Sequence, residues 1–141
     1  MGTQQILLIV LSVIIVGIAV AVGITMFNAQ ATNSNRQAVM SDMNNLASSC
    51  LAFYKTPTSH GGGGGAWDAS NLDDIGNWLG YDWDGTKCTT GNGTFTVSIQ
   101  GADAMRIVGV GTEIGNDGSA NVQGTINIVG STAIITATID N

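Results

Sequence analysis

The sequence predicts an α+β fold, in which one long N-terminal α-helix packs on a small, mostly antiparallel, four-stranded β-sheet head. Three features predict it. Ile6 to Phe27 is an apolar run broken only by Ser12, Gly17, Gly23 and Thr25. Val39, Met43, Leu46, Ala47, Cys50, Phe53 and Tyr54 then recur at 3- and 4-residue steps, the period of one helix face. From Thr94 onward the period of the apolar residues falls to two, as in half-buried strands.

Residues 1–35 carry no charged side chain. At 1.5 Å per residue the apolar run spans about 33 Å, the hydrocarbon thickness of a bilayer. It is too long and uniform for a signal-peptide core, and no basic flank precedes it. With no proline before Pro57, one helix from about Thr3 to Lys55 would reach roughly 80 Å. The chain divides into an apolar segment over residues 1–27, its amphipathic continuation over 28–55, and a head over 56–141. A half that is apolar all round needs lipid or other helices on every side. A half with one stripe needs a domain against that stripe. Gly17, Ala19, Ala21 and Gly23 put small residues four apart, which lets helix backbones approach closely in an apolar medium.

In the head, Thr56 to Ala66 reads as a loop with five consecutive glycines, Gly61 to Gly65, expected to be a flexible connector or a closely apposed loop at a subunit contact. Asn71 to Leu79 reads as a short helix capped by Asn71, with Ile75, Trp78 and Leu79 on one face. Trp67, Trp78, Tyr81 and Trp83 form an aromatic group expected in a core or interface, with a glycan-stacking platform as the alternative. Four strands follow, carrying Phe95, Val97 and Ile99; Val108 and Val110; Val122, Ile126 and Ile128; and Ala133, Ile135, Ala137 and Ile139. Asn92-Gly93, Gly111 to Gly115, Asn116-Asp117-Gly118 and Gly130 read as the turns between them.

Composition excludes several functions. Four Lys and Arg against 10 Asp and Glu give a net charge of −6, which repels nucleic acid phosphates. His60 is the only histidine and borders the glycine run, so Ser-His-Asp and Cys-His sites lack support, as does a zinc site. The five glycines lack P-loop spacing and no nucleotide motif occurs elsewhere. No cofactor and no catalysis are expected. Asp82 and Asp84, with Gly85, are the metal candidates, resembling a fragment of a calcium loop without its later ligands; an acidic turn is the simpler reading. Cys50 and Cys88 are the only cysteines. A disulfide between them would close about 38 residues, a loop worth about 3–4 kcal/mol in the chain-entropy model; two buried free thiols are the alternative. Asn92-Gly93-Thr94 matches an N-glycosylation acceptor.

The run QQILLIVLSVIIVGIAVAVGITMF, its continuation SDMNNLASSCLAFY and the strand-rich tail resemble the type IV pilin family, with its pseudopilin and archaeal pilin relatives. The resemblance covers the first 55 residues well and the head only in style. It implies a major pilin that polymerises through its N-terminal helix into an extracellular cell-surface filament, after insertion in the cytoplasmic membrane. The polymer-core face would include Gln5, Leu8, Leu11, Ile15, Gly17, Ala21, Gly23 and Phe27. Its implied partners are further copies of itself, the lipid bilayer before assembly, a prepilin peptidase that removes a basic leader ahead of Met1, an inner-membrane assembly platform and a separate ATPase. A Cys pair in the head also recurs in the family. The chain departs from it at Gln5, where members usually carry Glu, and in lacking a proline in the apolar run. A minor pseudopilin is a variant of the same reading. A single-pass anchored binding or sensor domain is the alternative from a different class.

Overall fold

A computed structural model describes residues 2–141, apart from the side chain of Asn71; Met1 lies outside the described residues. Helix α1 runs unbroken over Thr3–Lys55, 53 residues or about 80 Å. Its side chains are exposed until the head is reached. Asn35 is the first buried residue, and Val39, Met43, Leu46, Ala47, Cys50, Phe53 and Tyr54 follow on the expected stripe.

The head contains one short helix, α2 (Leu72–Leu79), and a sheet of six strands, not four. These are β1 (Asp82–Trp83), β2 (Lys87–Thr90), β3 (Gly93–Gly101), β4 (Ala104–Ile114), β5 (Asn121–Val129) and β6 (Ile134–Ile139), paired in chain order and all antiparallel. The two extra strands form a hairpin whose bend is the acidic turn at Asp84 and Gly85. Asp84 sits at its bend, where Oδ1 accepts from the Lys87 backbone N–H at 3.1 Å, and Gly85 takes a φ of +100°. These strands are short and mostly polar, so neither carries a period-two apolar pattern. The helix α2 begins after a 3-10 turn at Ala69–Asn71. That turn is capped by Asp68, which accepts from Ser70 N–H; the capping role expected of Asn71 falls on a side chain outside the described residues.

The inner face of the sheet meets the α1 stripe. Phe95, Val97, Met105, Ile107, Val122, Ile126 and Ile128 are buried there. Each fully buried aliphatic or aromatic side chain contributes about 1.5–3 kcal/mol by area burial. The face of β4 differs from expectation: Met105, Ile107, Gly109 and Gly111 point inward, and Val108 and Val110 do not. Gly111 is therefore a strand residue and not a turn. A Cβ on Gly109 would collide with Met43 and Phe95, on Gly111 with Asn35, and on Gly130 with the Tyr54 ring. Glycine at these positions lets the helix lie close against the sheet.

The coverage stops at β5. Ile135, Ala137 and Ile139 pair directly with Ile128, Ile126 and Gly124, so they share the inner face, yet all of β6 is exposed because α1 does not extend over it. Ala133 belongs to the β5–β6 turn, with a φ of +56°, and not to the strand.

The glycine run is not a free connector. It folds back over the end of α1. Gly63 N–H donates to Phe53 C=O at 2.8 Å, Gly65 to Tyr54 at 2.8 Å and Gly64 to Thr56 at 2.9 Å. A helix end leaves its last carbonyls without intrahelical donors, and this loop supplies them. Gly61, Gly64 and Gly65 all have positive φ, at +77°, +62° and +89°. Gly62 and Gly63 have no room for a Cβ against Thr56 and against Ala66 with Phe53.

Replacing Gly62 or Gly63 by Ala should therefore destabilise the head, on the order of 1–3 kcal/mol. Gly91, which faces open space, is the control, and Gly91→Ala should stay within about 0.5 kcal/mol. Denaturant unfolding followed by tryptophan fluorescence measures both; equal midpoints for all three variants would contradict the capping role.

Candidate functional site

The most distinctive surface of the molecule is the bare half of α1. Every large apolar side chain from Ile6 to Phe27 is exposed, from 49% at Val10 to 74% at Phe27. The segment is long and apolar enough to cross a membrane, and none of its most apolar window is buried within the chain. Leu8, Leu11, Ile15 and Phe27 all stand free, and no neighbouring atom approaches the positions a Cβ would take on Gly17 and Gly23. Ala21 is exposed as well. Gln5 is exposed and its carboxamide bonds to nothing among the described residues.

The polar groups in this segment are satisfied locally. Ser12 Oγ donates to Ile9 C=O at 2.7 Å, and Thr25 Oγ1 donates to Val22 C=O at 2.8 Å. Both are back-bonds to the preceding turn, so the segment presents no unpaired hydroxyl donor to an apolar medium.

Four polar latches hold the head to the second half of α1. Thr32 Oγ1 first reaches Ile114 C=O at 3.0 Å. Asn35, only 8% exposed, donates from Nδ2 to Asn92 C=O at 3.0 Å, and its Oδ1 accepts from Glu113 N–H at 3.4 Å. That N–H is freed by a bulge in β4, where pairing with β5 jumps from Val110–Gln123 to Ile114–Asn121. Asp42 Oδ2 accepts from Thr90 Oγ1 at 3.0 Å and from Asn92 Nδ2 at 2.9 Å. At the far end, Tyr54 Oη donates to Asp103 Oδ1 at 2.8 Å, while Ser131 gives Asp103 its N–H and its hydroxyl, each at 2.6 Å. The Ser131 and Tyr54 donors hold the Asp103 carboxyl below its ordinary range, and the bond to Asp103 raises the Tyr54 phenol. Of these residues Tyr54 stood out in the sequence as a stripe position and Asn92 as a glycosylation acceptor; the hydroxyl partner of Tyr54 did not. Asn35 had a signal, since it continues the stripe four residues before Val39.

The remaining sequence candidates separate. Cys50 and Cys88 are both buried in the core as free thiols, so the expected disulfide is not formed. Cys50 on α1 and Cys88 on β2 pack as small apolar side chains. Burial raises the Cys50 thiol to about 12, with Cys88 adding to the effect, and raises Cys88 to about 11. The Asn92 amide that a glycan would occupy is half-buried and donates to Asp42, a cost any attachment must meet. Asp84 is committed to its turn, Asp82 is exposed, and no group of three or more His, Cys, Asp or Glu suited to a metal ion occurs among the described residues. The four aromatics are not one platform. Trp67 is buried against Tyr54, ring centroids 4.7 Å apart; Trp83 lies over Gly76; Trp78 packs T-shaped with Phe53; Tyr81 is exposed.

No protein-family model, curated protein or solved structure matches the chain.

Two outcomes follow. The low Asp103 pKa means that its contribution to stability is complete above the ordinary carboxylate range near pH 4 and is lost as pH falls through the depressed folded value. Asp103→Asn should lower the thermal midpoint at pH 7 and flatten the acid limb of the stability curve below about pH 4; an unchanged acid limb would remove Asp103 from this role. The thiols should react with iodoacetamide at pH 8 at least about a hundredfold more slowly than a free cysteine, because thiolate is scarce and access is closed. Unfolding without reductant should expose both for labelling, and cysteines still unlabelled at that point would mean they are joined.

Proposed function

We propose that the chain is a structural subunit, a pilin-like protein that polymerises through the bare half of α1 into an extracellular filament. The observation that carries this reading is that half-helix: some two dozen apolar residues attached rigidly to a folded head, with no partner in their own chain. Such a surface must be covered. A bilayer covers it in the monomer, and sister helices cover it in the polymer.

Extraction from lipid into a helical core exchanges one apolar environment for another, so the transfer term is small. Close helix packing and head–head contacts must supply the bias toward assembly. The small residues Gly17, Ala21 and Gly23 allow that approach, and the self-bonded Ser12 and Thr25 suit either medium. The work of extraction falls to a separate ATPase and an assembly platform, with a prepilin peptidase acting beforehand, since no nucleotide motif is present here. Gln5 offers a neighbouring subunit a hydrogen bond without a countercharge.

Electron microscopy of the sheared surface fraction, with mass spectrometry of its subunit, tests this. Filaments built of this chain are expected. Gly17→Leu keeps the segment apolar and should leave membrane insertion intact, while filament yield drops at least about tenfold, a packing loss near 1.4 kcal/mol. A wild-type chain found only as a detergent-soluble monomer, with no filament, would favour the single-pass binding or sensor domain instead.

A further inference from the structure

A cleft opens at the end of the head farthest from the bare helix. Its volume is about 530 Å³, within the range of small-ligand sites. One wall is the folded-back loop at Thr58, Gly61 and Gly62, where the two glycines bring bare backbone to the cleft. The other wall is α2, which contributes Asp74, Asn77 and Trp78. Phe53, at the end of α1, lines the cleft between them.

The chemistry of the lining is specific. Trp78 is 39% exposed, although it is large and apolar. Its indole packs T-shaped with the Phe53 ring, centroids 5.9 Å apart and planes at 72°, a contact that helps hold it in place. Asp74 and Trp78 are four apart on one helix and Asp74 and Asn77 three apart, so Asp74 neighbours each of them on the helix surface, at about 5–6 Å between Cβ atoms, and all three line the cleft. The Asp74 carboxylate and the Asn77 carboxamide bond to nothing else among the described residues. The first offers acceptors only; the second offers both donors and an acceptor. The result is a fixed aromatic surface bordered by unspent hydrogen-bonding groups.

We infer that this cleft binds a single pyranose ring. An all-equatorial pyranose has apolar C–H faces and a rim of hydroxyls, each of which both donates and accepts. The C–H face would lie on Trp78, and adjacent hydroxyls would donate to Asp74 and exchange hydrogen bonds with Asn77. A purely apolar ligand would leave the carboxylate and carboxamide desolvated and unpaired, which disfavours it. An anion would meet Asp74 in a chain of net charge −6. The inference stands apart from the filament reading, because the monomer carries the whole cleft.

Saturation-transfer difference NMR on the full chain tests it, with methyl β-D-glucopyranoside as probe and a zwitterionic, sugar-free detergent. Transfer to the ring C–H protons is expected. Asp74→Ala and Trp78→Ala should each weaken binding at least about tenfold, and Trp78→Phe should keep part of it. Asp74 is exposed and unbonded, so Asp74→Ala should retain the wild-type melting temperature even if Trp78→Ala loosens the contact with Phe53. No transfer to the pyranoside, or transfer that Asp74→Ala leaves unchanged, would overturn the assignment.

Discussion

The close seating of α1 on the sheet governs the rest of the head. A helix meets a sheet through side chains on both surfaces, and their combined bulk normally sets the gap. Here several inward positions of β4 and β5 have no side chain. Met43 enters over Gly109 and Gly124, Asn35 over Gly111, and Tyr54 just beyond β5 over Gly130. Backbone polar groups of the sheet thus come within reach of the helix. This is why Asn35 can bond the Glu113 N–H that the β4 bulge releases, and why Tyr54 reaches Asp103. Burying a backbone N–H without a partner costs about 1–3 kcal/mol, so the close approach and the polar latches require each other.

The same constraint explains the glycine run. A helix 53 residues long that ends against a folded head leaves its last carbonyls, beside the buried Phe53 and Tyr54, without intrahelical donors. The chain turns back within ten residues and bonds two of those carbonyls, Phe53 and Tyr54, and that of the capping Thr56, with its own backbone. Side chains would block that return at Gly62 and Gly63, and positive φ makes the other three positions costly for L-residues. Five glycines in a row are here a rigid device. Composition alone reads them as slack, because composition registers conformational freedom and not the orphan carbonyls that consume it.

What the sequence made legible followed from periodicity. The extent of α1 and its buried stripe were readable because apolar residues keep helical spacing from Val39 to Tyr54, about four turns, without a proline. Strands β3 and β5 were readable from alternation. β4 was assigned the wrong face because two of its inward positions are glycine, and an alternation of Met, Ile, Gly and Gly carries less apolar signal than Val108 and Val110 beside it. β1 and β2 were missed because Cys88 is their one fully buried side chain. Asn35, Asp42 and Asp103 were not legible as latch residues, since the bonds between helix and head join positions roughly fifty or more apart in the chain and hydrogen bonding leaves no period. The bare half-helix was the reverse case. Its exposure was legible because no other segment carries enough apolar surface to cover it.

Rigidity then links the two halves of the molecule. The latches lie at residues 32, 35, 42 and 54, along nearly the whole length of helix that the head covers. Contacts at one end alone would let the head pivot; contacts at both ends fix its rotation about α1 as well as its position along it. In the filament reading, this makes head placement a consequence of how the bare helices pack. A rotation of one helix in the core would carry its head round by the same angle, bringing the uncovered inner face of β6, with Ile135 and Ile139, toward or away from a neighbour. An uncharged, proline-free edge strand is a hazard on a free monomer, where it can pair with any exposed strand. The hazard is contained if assembly presents that edge only in a fixed orientation, and the latches supply that orientation.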